Sequence, residues 1–154
     1  MTKENHAGYC GIFCNACPLF QVEKCQGCKS AKNTHYKDSN PKWECEVRKC
    51  AVEKEELEYC CECPNYPCTA LIKFRNTHLT ESKYEYRHKI FYNLTTIVFI
   101  GPEKWIEEQD ELWRCPNCGG RVVFLNDKCI ECGVEVKNIY RVYVREHDNK
   151  FPDL

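Results

Sequence analysis

Four cysteines near the end of the chain form two matching pairs, and each pair is followed by glycine. The pairs are Cys115-Pro-Asn-Cys118 and Cys129-Ile-Glu-Cys132, with ten residues between them. Two intervening residues let both sulfurs of a pair reach one ion at about 2.3 Å, and a hairpin would bring the pairs together. We predict one structural zinc bound by all four thiolates. A rubredoxin-type iron site is the alternative, whereas a redox dithiol would need a βαβ context that is missing here.

Eleven further cysteines lie between residues 10 and 68, which is more than a single site can use. The spacing of the first three predicts that their thiolates converge, with a fourth ligand from Cys25 or Cys28, around zinc or an iron–sulfur cluster. A second site could use the five later cysteines from Cys45 onward, without Cys61. The predicted ligands are therefore Cys10, Cys14, Cys17, Cys25, Cys28, Cys45, Cys50, Cys60, Cys63 and Cys68.

Other features of this segment carry weaker signals. The first three cysteines have the spacing found in radical S-adenosylmethionine enzymes, but the chain is too short for their partial α/β barrel. Cys61 is predicted to be a bystander, because adjacent cysteines rarely bind the same ion, and a redox thiol is the alternative. Among the five histidines, only His6 and His35 are considered as ligands.

Composition limits the class of protein. The 154 residues include 22 basic and 23 acidic side chains, and no segment is basic, so there is no strong signal for nucleic-acid binding. No segment approaches the roughly 20 apolar residues that cross a membrane. The first residues have no apolar stretch of the kind that a secretory signal needs, which predicts a soluble, cytoplasmic protein. In that reducing compartment, paired cysteines indicate thiolate ligands rather than disulfides.

The sequence pattern in the middle of the chain predicts helices. A helix-spaced stripe of Ile90, Phe91, Leu94, Ile97 and Val98 predicts a core-facing helix. Gly101-Pro102-Glu103 should end it and open another, whose buried stripe consists of Trp105, Ile106, Gln109, Leu112 and Trp113. A shorter helix is expected over 69–74. Beyond it, short strands are expected over 121–125 and 134–136 around an Asn126-Asp127 turn, with a further strand over 141–145.

These elements predict a small metal-stabilised α+β fold in three parts. Residues 1–68 form a cysteine-rich, irregular metal-binding module, and residues 69–114 form a helical segment that packs on it. Residues 115–154 form a zinc-ribbon β-hairpin with a C-terminal strand or tail. The first part has few aliphatic residues, so we expect metal ligation to supply stability that core packing cannot.

The N-terminal motifs resemble the cysteine-rich family known as domain of unknown function 3795. The matching stretches are Tyr9 to Pro18, Cys25 to Cys28, Cys45 to Ala51 and Tyr59 to Cys68. Trp105-Ile-Glu-Glu-Gln109 before the ribbon is similar to longer members. The resemblance implies a metal-binding module. The position of Cys61 is usually a small residue in that family, so Cys61 inherits no role from it.

Three functions are compatible with these residues. The first is a noncatalytic zinc-binding module that presents a rigid surface to a partner protein or nucleic acid, and the charge balance favours a protein partner. The second is an iron–sulfur protein in electron transfer or cluster delivery. The third, a metal-dependent enzyme, is the least supported, because no HExxH motif, phosphate loop or Ser-His-Asp arrangement is present.

Overall fold

The computed structural model describes residues 7–22, 25, 27–29, 45–54, 57–77, 82–124 and 127–136. Five α-helices lie in these segments: α1 Pro18–Gln21, α2 Glu46–Glu53, α3 Thr69–Asn76, α4 Ile90–Ile100 and α5 Pro102–Leu112. Short 3-10 helices occupy Cys14–Ala16, Cys60–Glu62 and Ser82–Lys89. None of the described helices combines the length and the apolar character that crossing a bilayer requires.

Helices α4 and α5 form a tight hairpin that confirms the predicted break. Gly101 has a φ of 87°, and its N–H donates to the Ile97 carbonyl at 2.9 Å, which ends α4. Pro102 opens α5 at a position where its missing N–H costs no hydrogen bond, and Glu103 lies in the first turn. The two helices pack against each other and bury most residues of the stripes that the periodicity indicated.

One residue of the predicted stripe is outside the core. Val98 is 63% exposed, and its neighbour Phe99 is 82% exposed. Val98 lies nearly two turns beyond Phe91 on the same side of α4. Phe91 is covered by Tyr66, with ring centroids 6.1 Å apart. The exposure of Val98 shows that this cover does not extend to the last turn of the helix.

A single hydrophobic core takes residues from the cysteine-rich, helical and ribbon segments. We call residues 10–14 the first cysteine loop. Phe13 of this loop contacts Trp105 of α5 edge to face, with ring centroids 6.3 Å apart. Trp113, which follows α5, meets Phe124 edge to face at 4.9 Å. Such pairs bury large aromatic surfaces and favour one relative orientation. The N-terminal segment therefore contributes buried side chains of its own, including Tyr59 at 1% exposure.

The C-terminal part forms isolated β-bridges instead of the predicted hairpin strands. Antiparallel bridges join Arg114 to Arg121, Val122 to Cys129 and Lys128 to Glu135, and no strand occurs in the described ranges. Some backbone groups of this part bond outside it. The Phe124 N–H, for example, donates to the Ala16 carbonyl at 2.8 Å. Residues 125–126 and the strand predicted over 141–145 lie outside the described residues.

A buried amide fixes the first cysteine loop to α4. Asn93 is 4% exposed, and its Nδ2 donates to the Gly11 carbonyl at 2.8 Å. Gly11 has a φ of 83°, and a Cβ there would lie 3.2 Å from both the Ile90 carbonyl oxygen and Leu94 Cγ. The loop can therefore approach α4 this closely only with glycine at that position.

Replacing Asn93 with alanine should lower the free energy of unfolding by about 1–3 kcal/mol, because the buried Gly11 carbonyl would lose its donor. Denaturant unfolding followed by circular dichroism measures the difference. Thr96→Ala is the matched control, because it removes a bond to Tyr92 within α4 and should change stability by less than about 0.5 kcal/mol. Equal losses in the two variants would contradict the role of the amide.

Candidate metal centres

The two C-terminal cysteine pairs adopt the same turn. We call the turn over residues 115–120 the first knuckle and the turn over residues 129–134 the second knuckle. In the first knuckle the Gly119 N–H donates to the Cys115 carbonyl at 2.9 Å, and in the second the Gly133 N–H donates to the Cys129 carbonyl at 3.0 Å. The glycines have φ values of 76° and 72°, which side-chain-bearing residues rarely adopt. The N–H of each leading cysteine donates to the carbonyl five residues later, at 2.8 and 3.0 Å.

These turns bring four sulfurs together at the surface. The Sγ atoms of Cys115, Cys118, Cys129 and Cys132 all lie within 4.8 Å of one another. Cys115 Sγ is 3.7 Å from Cys132 Sγ, and Cys118 Sγ is 3.5 Å from Cys129 Sγ. Four sulfurs placed about 2.3 Å from one tetrahedral ion are themselves separated by about 3.8 Å. The group could therefore hold a single metal ion with little rearrangement.

Backbone N–H groups point at these sulfurs and favour their charged forms. The Gly120 N–H donates to Cys118 Sγ at 3.4 Å, and the Glu131 N–H donates to Cys129 Sγ at the same distance. A Cβ on Gly120 would lie 2.8 Å from the Glu131 carboxylate and 3.1 Å from Cys118 Sγ. Glycine at this position therefore keeps the first knuckle close to the second.

The four thiols oppose one another's ionisation. The Val134 N–H lowers the pKa of Cys132 to about 6. The Gly120 N–H also lowers the pKa of Cys118, but the facing thiols of Cys129 and Cys132 raise it to about 12. Negative charge gathered on the first sulfurs to ionise opposes the last ionisation. A divalent cation at the centre would remove that opposition.

The end of α5 positions the first knuckle. The Val122 N–H donates to the Trp113 carbonyl at 2.9 Å. The Arg121 guanidinium donates to the Asp110 backbone carbonyl at 3.1 Å and also pairs with the Asp110 carboxylate. Arg114 pairs with the same carboxylate at 2.9 Å. One acidic side chain on α5 therefore binds two arginines that flank the knuckle in the sequence.

Replacing Asp110 with asparagine should destabilise the protein by about 0.5–1 kcal/mol near neutral pH, because both pairs are partly exposed. Burial raises the pKa of Asp110, but the bonds and charges of Arg121 and Arg114 lower it below the usual 3.8. The contribution is therefore present above that value and is lost as the pH falls through the lowered pKa. The unfolding curves of the two proteins should differ at pH 7 and should converge only at a pH below the lowered pKa of Asp110. A stability difference that is independent of pH would contradict this assignment.

In the N-terminal segment, six thiols lie close enough to influence one another's pKa values, and we call them the six-thiol group. Cys10 and Cys28 face each other across Gly8, since both sulfurs lie 3.6 Å from the point that a Cβ on Gly8 would occupy. Burial, followed by the thiols of Cys45 and Cys25, raises the pKa of Cys28 to about 12. The members of the group are Cys10, Cys14, Cys17, Cys25, Cys28 and Cys45.

The remaining predicted ligands gather separately, and we call them the four-thiol group. Burial and the neighbouring thiols raise the pKa of Cys60 to about 12. The sequence analysis placed Cys45 with these later cysteines. In the structure, however, the thiol of Cys45 raises the pKa of Cys10 and of Cys28. Cys45 precedes α2 and Cys50 lies within it, so the helix turns them to different sides. The predicted ligands in this group are Cys50, Cys60, Cys63 and Cys68, and the adjacent thiol of Cys61 also raises the pKa of Cys60.

The N-terminal sulfurs are more widely spaced than those of the ribbon. All fifteen cysteines are described and carry free thiols. Among the described residues, the ribbon group is the only set of three or more candidate ligands whose atoms all lie within 4.8 Å. Metal binding by the ten N-terminal ligands therefore stays a prediction. His6 and His35 lie outside the described residues, and the bystander role of Cys61, which is half-buried beside Cys60, is not tested.

Sequence reasoning missed the basic side chains that accompany the thiols. Lys29 Nζ lies 3.5 Å from the centre of the Tyr59 ring and 5.5 Å from that of Tyr9. Burial lowers the pKa of Lys29, although nearby acidic groups and thiols act in the other direction. Arg48 Nε donates to the Cys28 carbonyl at 3.1 Å. A signal was present in the sequence, because Lys29 directly follows a cysteine.

Comparison with known proteins bears on the N-terminal segment. Residues 6–73 match a family model described as "Protein of unknown function (DUF3795)". The match includes all eleven N-terminal cysteines and ends before α4 and the ribbon. No curated protein and no solved structure matched the chain. Across residues 6–73, the chain is therefore similar to this family, in agreement with the resemblance seen in its motifs.

Proposed function

We propose that the chain is a zinc-binding protein whose ribbon zinc is structural and whose function is noncatalytic. The observation that carries this proposal is the closed set of four sulfurs with contacts of 3.5 and 3.7 Å. Thiolate donors suit zinc, and a tetrahedral site with four protein ligands leaves no position for a water or a substrate. The ribbon metal would then hold residues 115–132 in place, and these residues contribute Val122 and Phe124 to the hydrophobic core.

Cobalt substitution tests both the metal and the closed shell. Protein purified in the reduced state should contain zinc, and cobalt should replace it with the visible spectrum of a tetrahedral thiolate site. Added azide should leave that spectrum unchanged, because no coordination position is open. A spectral change with azide would contradict a purely structural site. Protein with no metal at the ribbon would contradict the proposal as a whole.

We expect the partner of such a module to be a protein in the reducing cytoplasm. The chain has 22 basic and 23 acidic residues, so it lacks the excess positive charge that nonspecific nucleic-acid binding requires. In the second knuckle the apolar side chains of Ile130 and Val134 are 49% and 37% exposed, which would suit contact with a protein surface. Fluorescence anisotropy with single-stranded and double-stranded oligonucleotides should show no binding at physiological salt. Binding in the micromolar range would favour a nucleic-acid partner instead.

An iron–sulfur protein is the second candidate, and the spacing of the N-terminal sulfurs favours it. In the part of the chain that the structure describes, no three N-terminal ligand atoms come within 4.8 Å of one another, although the ribbon sulfurs do. A 4Fe–4S cluster binds each of its four cysteines through a different iron, so its ligands lie farther apart than those of one ion. The six-thiol group, buried at Cys10 and Cys14, would be the site of such a cluster.

Anaerobic purification separates the two candidates. A cluster in the six-thiol group predicts several irons and acid-labile sulfides per chain, together with broad visible absorption from sulfur-to-iron charge transfer. Cys14→Ser should remove that absorption and leave the ribbon metal in place. Colourless protein that contains only zinc would eliminate the cluster and support zinc throughout.

A further inference from the structure

Each knuckle of the ribbon has one buried and one exposed sulfur. Cys115 and Cys129, the first cysteines of the two pairs, are each 2% exposed and belong to the hydrophobic core. Cys118 and Cys132, the second cysteines, are exposed. A metal ion at the centre of the four sulfurs would therefore meet solvent on the side of Cys118 and Cys132. Hydrogen bonds to these two sulfurs act where a chelator would reach the site.

The backbone treats the two exposed sulfurs alike. The Gly120 N–H donates to Cys118 Sγ at 3.4 Å, and the Val134 N–H donates to the sulfur of Cys132. Both donors come two residues after the cysteine that accepts the bond, so both follow from the repeated turn. Any difference between the exposed sulfurs must therefore arise from the side chains around them.

A side chain of the first knuckle reaches the exposed sulfur of the second. Asn117 Nδ2 donates to Cys132 Sγ at 3.5 Å, across 15 residues of sequence. An amide nitrogen is a donor and a thiolate can only accept, so this bond stabilises the sulfur in the form that binds a metal. The bond also joins the two knuckles without involving the metal.

The corresponding side chain of the second knuckle has the opposite character. Glu131 precedes Cys132 as Asn117 precedes Cys118. Its Oε2 atom lies 2.8 Å from the point that a Cβ on Gly120 would occupy, and Cys118 Sγ lies 3.1 Å from the same point. The carboxylate is therefore within about 6 Å of the Cys118 sulfur, a range in which like charges oppose each other. A carboxylate also has no hydrogen to donate to the sulfur.

We propose that Asn117 and Glu131, which are not ligands, determine how tightly the ribbon retains its metal, each acting on the opposite knuckle. Asn117 is a positioning residue that holds Cys132 and strengthens binding, whereas the Glu131 carboxylate opposes the charge on Cys118 and weakens binding. This inference rests on the proposed function, namely that the four ribbon thiolates bind zinc. It adds two residues outside the ligand set and opposite signs for their effects.

The charge of the occupied site explains both signs. A divalent cation displaces the protons of four thiols, which pass to solvent, and the resulting complex has a net charge of −2. Partners that donate to a ligand typically change metal affinity by about 10- to 100-fold, and the lower end applies to an exposed side chain such as Asn117. A carboxylate at about 6 Å in a water-like medium adds a repulsion that corresponds to about 3-fold in affinity.

A chelator challenge followed by alkylation measures metal retention at the ribbon itself. Reduced, zinc-loaded, full-length protein is exposed to increasing chelator under anaerobic conditions and treated with iodoacetamide, and mass spectrometry follows the four ribbon cysteines. Asn117→Ala should lose protection at about 10-fold lower chelator concentration. Asn117→Asp keeps the size of the side chain but removes its donor, and it should lose protection at least as readily. Protection equal to that of the unchanged protein in both variants would overturn the role of Asn117.

Glu131→Gln tests the opposite sign. This variant should keep its protection up to about 3-fold higher chelator concentration. Glu135→Gln is the matched control, because it removes the same charge from an exposed position nearby, opposite Lys128, and it should have a smaller effect. Equal gains in the two variants, or no gain in Glu131→Gln, would overturn the role of Glu131.

Cobalt spectra separate an effect on the sulfurs from a loss of structure. Every variant should keep the visible bands of a tetrahedral thiolate site, because no ligand is changed. A hydrogen bond lowers the energy of the sulfur electrons, and a nearby negative charge raises it. The thiolate-to-cobalt charge-transfer band should therefore move to longer wavelength in Asn117→Asp and to shorter wavelength in Glu131→Gln.

The outcomes distinguish this inference from the proposed function. Weaker tetrahedral bands in Asn117→Asp would show that Asn117 acts only on the structure and would overturn its positioning role. A ribbon that is unprotected in the unchanged protein would contradict the proposed function. A protected ribbon that is the same in all variants would contradict only this inference.

Discussion

A Cys118→Ser variant should lose its ribbon metal and unfold at much lower denaturant concentration than the unchanged protein. Structural zinc sites of this type contribute about 10–16 kcal/mol of binding free energy in small peptides, and that energy is coupled to folding. Cys115 and Cys129 are 2% exposed and belong to the hydrophobic core, so loss of the metal would leave repelling or unsatisfied thiols beside packed side chains. Elemental analysis and urea unfolding of the same preparations measure both effects.

The control for this prediction is Cys61, which is not one of the predicted ligands. Cys61→Ser should retain the metal content of the unchanged protein, and its free energy of unfolding should fall by about 1 kcal/mol or less. The ribbon assignment would be wrong if Cys118→Ser kept both its metal and its unfolding midpoint. Removal of metal from the unchanged protein with a chelator should reproduce the behaviour of Cys118→Ser.

The second large effect is expected at Trp105. Its side chain is fully buried and contacts Phe13 edge to face, so it connects α5 to the first cysteine loop. Trp105→Ala should lower the free energy of unfolding by about 3–5 kcal/mol, through lost burial and the cavity that remains. Chemical denaturation followed by circular dichroism gives the difference.

Phenylalanine at the same position separates packing from hydrogen bonding. The Trp105 Nε1 atom has no acceptor in the described part of the chain, so removing that N–H loses no hydrogen bond. Trp105→Phe should therefore cost less than about 2 kcal/mol, since it keeps an aromatic ring against Phe13. A loss in Trp105→Ala below about 1 kcal/mol would show that this contact does not join the two segments.

Sequence patterns predicted those parts of the structure that depend on residues close together in the sequence. The stripe from Ile90 to Ile97 and the Gly101-Pro102 break predicted α4 and α5, because helix periodicity and backbone conformation are local properties. The two CxxC motifs with their glycines predicted the convergence of the ribbon sulfurs for the same reason. Val98 was misplaced because its burial depends on how far a covering segment reaches, which periodicity cannot indicate.

The missed features depend on tertiary packing. Helix α2 is short and buries only Val47 and Ala51, so its apolar stripe is too narrow to recognise. The membership of Cys45 in the six-thiol group depends on where α2 places its two ends. Isolated bridges replace the predicted ribbon strands, and the Phe124 N–H bonds to Ala16, a partner more than 100 residues distant in the sequence that no local pattern could indicate.

The bond from the Phe124 N–H to the Ala16 carbonyl also affects how the protein can be made in a cell. At translation rates of about 5–20 residues per second, Phe124 is synthesised about 5–20 s after Ala16. During that interval the first cysteine loop leaves the ribosome before Trp105, against which Phe13 later packs, has been made. The packing of the first cysteine loop against the C-terminal segment can therefore be completed only after residue 124 has been synthesised.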